Sequence, residues 1–187
     1  KEDSDIFNRF QLNGIKFVQT WGGCVYHMTC RGSRRNTVDK AKNIYEDSPE
    51  WLAQNQRSTR NFIRKWGHFV KHNSLMKPII PHKYDIGFII KNCDIKILTG
   101  LEPWCSNVYV NPDLIKKYIS TEQPNTTMDL YDRIKPYENE KNNEILIRID
   151  AKTLDPEDFK MLQILPEVIA ESGEIGEFEL GNMNIHI

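Results

Sequence analysis

The sequence predicts an α/β protein. Alternating apolar residues mark short strands in its second half, and segments with helix-capping residues lie between these strands. The 187 residues are 39% hydrophobic and 27% charged, a composition typical of a globular protein that buries a core. No stretch approaches the roughly 20 consecutive apolar residues of a membrane span, so the sequence predicts none. Collagen-like, low-complexity and wholly disordered classes are excluded by the same composition.

A reversal of charge divides the chain into two modules. Residues 1–83 carry 15 Lys and Arg against 7 Asp and Glu, whereas residues 84–187 carry 10 against 19. Two prolines just before the reversal are typical of a linker, so we predict modules over 1–76 and 77–187. The basic part could face nucleic acid, a nucleotide diphosphate or anionic lipid, or the two parts could simply attract each other.

The first module is predicted to begin with a helix over 5–12, which acidic residues precede and Asn13-Gly14 ends. Residues 15–28 are rich in β-branched and aromatic side chains, which favours two strands with a glycine bend between them. A polar loop over 29–47 and a helix over 48–72, opened by a Ser-Pro cap, complete the module.

The second module is predicted to alternate strands with helices. Its strands are expected at 84–92, 106–110, 144–150, 177–180 and 183–187. Its helices are expected at 112–120, 127–134 and 155–173, and residues 94–103 stay open between a helix and a strand. Gly181-Asn182 provides the turn of a hairpin between the last two strands.

Four cysteines are too few for a disulfide scaffold in a chain of this length. Cys24, His27 and Cys30 are the residue types that bind zinc, yet residues three apart on a strand point to opposite faces. We therefore expect reduced thiols and a cytoplasmic location.

A basic stripe follows one face of the helix predicted over 48–72. It consists of Arg57, Arg60, Arg64, His68 and Lys71, at spacings of three or four residues. A solvated surface is the expected role for this stripe, and anion binding is the alternative.

Two groups in the basic part could carry chemistry. Asp3 lies with other acids at a helix start, one turn before Arg9, and it is either an N-cap or a functional carboxylate. His27 closes a Val-Tyr-His strand end and is either a packed, hydrogen-bonded histidine or a ligand.

These residues and their neighbours resemble the second half of a family-2-type glycosyltransferase with the GT-A fold. The resemblance covers about residues 1–72 and runs through 2–17, Val25-Tyr26-His27, Arg31-Gly32-Ser33 and the Phe-Ile-Arg-Lys-Trp-Gly run over 62–67. The family's nucleotide-binding first half, with its Asp-x-Asp motif, is not in this sequence. We therefore expect a fragment that is inactive alone, followed by a small α/β module of unassigned family.

The resemblance also implies an inverting, metal-dependent transfer from a nucleotide-diphosphate sugar to a sugar or glycan hydroxyl. Asp3 matches the catalytic base, and Glu2 and Arg9 are implied to orient it. His27 matches a ligand of the Mn²⁺ or Mg²⁺ ion on the diphosphate. The residues implied to bind the diphosphate are Arg31, Ser33, Arg34 and Arg35.

Two rival functions remain open. A nucleic-acid-binding module would use the basic part, where aromatic residues alternate with Lys and Arg. A metal-dependent nuclease would use Asp3, Asp5 and His27, although no further carboxylate cluster supports it.

Overall fold

A six-stranded mixed sheet forms the centre of the computed structural model, which describes residues 1–18, 20, 22–23 and 47–187. The strands are β1 (Ile86–Lys91), β2 (Asn107–Val110), β3 (Ile134–Pro136), β4 (Ile145–Asp150), β5 (Glu177–Leu180) and β6 (Met183–His186). Their order is β3-β2-β1-β4-β6-β5, in which β1 to β4 are parallel and β5 and β6 form an antiparallel hairpin. The predicted α/β class is confirmed.

Six α-helices are found in the described part of the chain. They are α1 (Glu2–Leu12), α2 (Pro49–Trp66), α3 (Ile95–Leu101), α4 (Pro112–Glu122), α5 (Leu130–Arg133) and α6 (Pro156–Ser172). Their starts follow from local chemistry: the Asp94 side chain accepts a hydrogen bond from Ile97 N at 2.7 Å, and Asn111 caps α4 in the same way. Gly173 ends α6 in the left-handed conformation, with φ 64°.

One face of the sheet carries most of the apolar core. Helices α3, α4 and α6 pack there against alternate residues of the parallel strands. The buried residues include Phe88, Ile90, Leu98, Leu101, Val108, Tyr118, Ile119, Ile145, Ile147, Leu162, Leu165 and Ile169. On the opposite face, a smaller cluster of described apolar residues is buried, namely Ile89, Tyr109 and Leu146, with Tyr137 packed against them. That face is therefore polar over β4, β6 and β5.

The described residues divide into two compact units. The first comprises residues 1–60 and 70–79, and the second comprises 61–69 and 80–187. The last third of α2, residues 61–66, thus belongs to the unit that contains the sheet. That residues 1–76 and 77–187 form two separate modules stays a prediction.

A buried ion-pair network builds residues 61–69 into the second unit. Arg64 is 0% exposed and donates from Nε and Nη2 to Glu102 Oε2, at 2.8 and 2.6 Å. Its Nη2 also donates to Glu122 Oε1 at 2.8 Å, and Arg133 Nε donates to the second oxygen of Glu102 at 2.7 Å. The Tyr118 hydroxyl also donates a hydrogen bond of 3.2 Å to Glu102 Oε2. Every charge in this network has an opposite partner.

The carboxylates overcome the cost of burying the Arg64 guanidinium. Burial alone would lower the pKa of Arg64, but its hydrogen bonds to Glu102 and Glu122 hold that pKa above its ordinary value. Burial raises the pKa of the Tyr118 hydroxyl, and the neighbouring Glu102 carboxylate raises it further. Arg64 therefore stays charged and Tyr118 stays neutral, as the hydrogen bonds between them and Glu102 require.

The end of α2 is also determined by contacts within the second unit. Gly67 has φ 80°, a conformation that favours glycine, and its N–H donates to Ile63 O at 2.6 Å. The Lys83 ammonium donates to Arg64 O at 2.6 Å, where a cation interacts favourably with the helix dipole. The helix therefore ends at Trp66, six residues before the predicted end.

We expect Arg64→Met to destabilise the second unit. The substitution keeps an unbranched side chain but leaves Glu102 and Glu122 buried without their central cation, and breaking a buried pair costs about 3–5 kcal/mol. Urea unfolding followed by circular dichroism measures the change. Arg57→Met, an exposed position of the same stripe, is the matched control and should change stability by less than about 0.5 kcal/mol. Equal unfolding midpoints for the two variants would contradict the role assigned to Arg64.

Asp158 links the start of α6 to the β5–β6 hairpin. In a capping box, the Asp155 side chain accepts from Asp158 N while Asp158 Oδ2 accepts from Asp155 N at 3.0 Å. The same carboxylate accepts from Asn182 N at 3.0 Å and Asn182 Nδ2 at 2.9 Å. Burial alone would raise the pKa of Asp158, but these hydrogen bonds outweigh burial and hold the pKa below its usual range.

In the Asp158→Asn variant, the free energy of unfolding is expected to fall less on acidification than it does in the natural chain. Because the folded pKa of Asp158 is depressed, its stabilisation is complete above the unfolded value of about 3.9 and is lost as the pH falls through the folded value. The variant should lose about 1.5–3 kcal/mol near neutral pH and lose less on further acidification. Urea titrations at neutral and acidic pH test this. Parallel stability curves for the variant and the natural chain would contradict it.

Several sequence predictions need correction. Residues 15–18, 20 and 22–23 form no strand, and the remainder of the predicted strand pair lies outside the described residues. The solvated role of the basic stripe is wrong at Arg64 and His68, which are buried. The segment over 94–103 is helical, and the predicted helix over 127–134 is reduced to α5 because Ile134 enters β3.

Candidate functional site

Helix α1 presents the acidic group that the sequence singles out. The N-cap position is Lys1, whose side chain makes no capping bond, so Asp3 lies in the first turn and the N-cap alternative for Asp3 is wrong. The Asp3 carboxylate is exposed and makes no hydrogen bond or ion pair with the residues that the structure describes. It is therefore available to a ligand.

The two residues implied to orient Asp3 have other partners. Arg9 Nε lies 3.3 Å from Asp5 Oδ2, one helical turn away. Glu2 Oε2 accepts a hydrogen bond of 2.9 Å from the α-amino group of Lys1, which lowers the pKa of Glu2. Neither Glu2 nor Arg9 contacts Asp3 in this conformation, so their supporting role stays a prediction.

Aromatic packing holds the chain that follows α1 against the helix. The rings of Phe7 and Phe17 have centroids 5.4 Å apart, and those of Phe10 and Phe17 are 6.4 Å apart. Gly14 provides the turn, with φ 69°. Asn8 is buried on this helix, and its side-chain NH₂ finds no acceptor among the described residues. The later turns of α1 are thus packed against the segment that follows the helix.

The remaining candidate residues fall outside the described part of the structure. They are His27, Arg31, Ser33, Arg34 and Arg35. Cys24 and Cys30, for which the strand spacing argues against zinc binding, fall there too, and the metal-ligand role of His27 stays a prediction. Within residues 1–18, 20, 22–23 and 47–187, no group of three or more His, Cys, Asp or Glu side chains is placed to hold a metal ion. The described part by itself therefore does not form a metal centre.

The two described cysteines are poor nucleophiles. Cys93 and Cys105 are both free thiols. Burial raises the pKa of Cys93 to about 12 and also raises the pKa of Cys105, which is fully enclosed. Each thiol therefore stays protonated near neutral pH, so neither is a candidate for covalent catalysis.

The polar face of the sheet holds two adjoining concavities, of about 420 and 240 Å³, which share Arg148 and Asn184. The larger includes His186 and Glu177, whereas the smaller includes Lys91 and Asp150. Asp150 accepts hydrogen bonds from Asn92 Nδ2 at 2.9 Å and Lys152 N at 3.0 Å, which lower its pKa. Since cations and carboxylates alternate across this face, its charge favours neither anionic nor cationic ligands.

Sequence reasoning placed Arg64 on a surface stripe and missed the other charged residues of the buried network, namely Glu102, Glu122 and Arg133. The available signal was Glu102 itself, which lies between the apolar α3 and the buried Trp104. A carboxylate in an apolar stretch predicts a buried partner. All four side chains are engaged with one another or with neighbouring groups, so they stabilise the fold rather than form an open site.

No helix among the described residues combines the length and the apolar character needed to cross a lipid bilayer. Comparison with known proteins finds no match to any family model, curated protein or solved structure.

Proposed function

We propose that this chain carries the acceptor and metal side of a glycosyltransferase that acts on nucleotide-diphosphate sugars. One structural observation favours this role: Asp3, which the family resemblance aligns with the catalytic base, has an exposed carboxylate with no partner among the described residues. A general base must be ionised and accessible to the proton it removes. An Asp3 carboxylate that accepted N-cap hydrogen bonds would be less accessible to that proton.

The proposed reaction is a displacement at the anomeric carbon of the donor sugar. An acceptor hydroxyl attacks that carbon, a new carbon–oxygen bond forms, and the bond to the leaving diphosphate breaks. The acceptor proton passes to Asp3. The carboxylate would have to lie opposite the leaving group, and such positioning is itself a large part of catalysis. Attack from the face opposite the diphosphate inverts the anomeric configuration.

The divalent cation belongs to the same proposal through His27. When bound, Mn²⁺ or Mg²⁺ would neutralise charge that develops on the leaving diphosphate. Imidazole suits Mn²⁺ better than Mg²⁺, which prefers oxygen ligands. Arg31, Ser33, Arg34 and Arg35 are the proposed contacts of the diphosphate oxygens.

The nucleic-acid alternative has less support. It would use the basic part of the chain, but two basic residues of that part, Arg64 and His68, are buried in the second unit and cannot reach a phosphate backbone. The uniform cationic helix face that the spacing predicts is therefore interrupted.

In the full-length protein, Asp3→Asn should reduce sugar transfer by about 10²- to 10⁴-fold while leaving donor binding nearly unchanged, because it removes the base and keeps the shape. Initial rates with a panel of nucleotide sugars, together with calorimetric donor binding, separate the two effects. Glu50→Gln, an exposed acid in the first turn of α2, is the matched control and should retain activity. An Asp3→Asn enzyme as active as this control would refute the assignment.

His27→Ala should act on metal and donor binding rather than on proton transfer. We expect a higher Mn²⁺ concentration for half-maximal activity, weaker donor binding and partial rescue by added Mn²⁺. Titration of activity against Mn²⁺ measures this shift. An unchanged Mn²⁺ requirement would remove His27 from the proposed metal site without affecting the role of Asp3.

A further inference from the structure

Strand β5 is an edge of the sheet. It pairs with β6 along one side, and no described strand lies along its other side. Just before β5, Gly176 N donates to Ile187 O at 3.2 Å and Ile187 N donates to Gly176 O at 3.0 Å. Such doubly bonded pairs recur at every second residue of an antiparallel ladder. The backbone groups of Phe178 and Leu180 are therefore directed toward β6.

The residues that alternate with these, Glu177 and Glu179, direct their backbone N–H and C=O groups away from β6. None of these four groups forms a hydrogen bond with the part of the chain that the structure describes. A row of unpaired backbone groups on an edge strand is a template for one more strand, which another chain can supply.

On the face of the sheet away from α6, this edge is acidic. The side chains of Glu177 and Glu179 lie there, opposite His186 and Asn184 of β6. The Glu177 side chain is 88% exposed, with its Oε1 atom 3.9 Å from His186 Nδ1, and the exposed Glu179 side chain has no ion-pair partner among the described residues. Residues 161–187 contain five Glu and neither Lys nor Arg. A strand added to this edge would therefore meet carboxylates on this face.

The other face of the β5 edge is apolar. Phe178 lies opposite Ile185 and Leu180 lies opposite Met183, and both partners are buried in the core beneath α6. Residues directly opposite in a ladder share a face of the sheet, so Phe178 and Leu180 are on the α6 side. Both are only partly buried. Their outer surfaces are therefore available to a further strand.

Helix α6 extends this apolar surface. Phe159 packs toward α3, whereas Met161, roughly 200° further around the helix, lies against Gly181 of the hairpin turn. Ile164 and Val168 follow Met161 at helical spacing on the flank that faces away from α3, and they are 50% and 46% exposed. The edge of the sheet thus has carboxylates on one face and aliphatic side chains on the other.

A second copy of the chain fits this edge poorly. In a continuous antiparallel sheet, any register that pairs the outward groups of two β5 strands sets Glu177 or Glu179 opposite a glutamate of the copy. Like charges directly opposite destabilise a strand pair, whereas opposite charges stabilise it. The charge of this edge therefore selects against itself and in favour of a basic strand.

We propose that β5 binds an extended peptide segment of a partner protein, in which basic residues alternate with apolar ones, as an added strand of the sheet. The peptide backbone bonds to Glu177 and Glu179, its basic side chains lie beside their carboxylates, and its apolar side chains pack on Phe178 and Val168. Alternation is required because successive side chains of a strand point to opposite faces. This inference does not depend on the proposed transferase activity.

Fluorescence anisotropy with a labelled, end-blocked peptide of three lysine-valine repeats tests the proposal on the chain over 1–187. We expect saturable binding. A peptide of three lysines followed by three valines has the same composition without the alternation, and it should bind about fivefold more weakly or worse. A peptide of three glutamate-valine repeats should bind no better than this control.

Backbone N-methylation distinguishes an added strand from simple charge attraction. One peptide carries the methyl groups on its lysine nitrogens and the other on its valine nitrogens, so charge and composition are the same in both. Alternate N–H groups of a paired strand face its neighbour, so one of the two peptides should lose binding while the other retains it.

Exchange of charge tests the acidic face. Glu177→Lys with Glu179→Lys should reverse the preference, so that this variant binds the glutamate-valine peptide more tightly than the lysine-valine peptide. Asp132→Lys with Glu138→Lys is the matched control, because it reverses two exposed acids beside β3 at the opposite edge of the sheet. This control should keep the preference of the natural chain.

The apolar face is tested by Ile164→Ser with Val168→Ser, two exposed positions, which should weaken binding of the lysine-valine peptide by about fivefold or more. The proposal is wrong if the natural chain does not bind this peptide, if the two N-methylated peptides bind alike, or if the double lysine variant keeps the natural preference. Dimers in sedimentation equilibrium that the peptide dissociates would also overturn it, and would identify β5 as an interface between copies of the chain.

Discussion

The ion pair between Arg64 and Glu102 is the constraint on which the second unit depends. A guanidinium excluded from water is tolerable only when carboxylates and hydrogen bonds replace its hydration, and Glu102, Glu122 and Asn61 do so. The network joins the end of α2 to α4 and, through Arg133, to the segment that leads into β3. The last third of α2 is thereby a structural part of the α/β unit, although the sequence places it in the basic module.

This arrangement changes how the basic half of the chain is understood. Its net positive charge suggests a continuous cationic surface. However, Arg64 is buried in an ion pair with Glu102, and the Lys83 ammonium donates hydrogen bonds to backbone carbonyls at the end of α2.

The two proposals rest on different parts of the chain. The transferase proposal needs the ionised Asp3 carboxylate at the start of α1, together with His27 and the basic residues that follow it. The strand-addition proposal needs only the β5 edge and the adjoining flank of α6. Each can fail without the other, since Asp3 and β5 belong to different units.

The sequence by itself determined the elements whose signals are local. Alternation identified β1 and β4, Asn111-Pro112 opened α4, and Gly181-Asn182 turned the last hairpin, because caps, turns and periodicity act over a few residues. It also singled out Asp3, but it could not decide between a cap and an exposed acid, which depends on where α1 begins. Only the tertiary structure decided the strand order and the burial of Arg64. It also decided that the Asp158 carboxylate bonds both to the start of α6 and to the β5–β6 hairpin. Those features join residues far apart in the chain, and a charged side chain looks the same in sequence whether water or a buried partner compensates it.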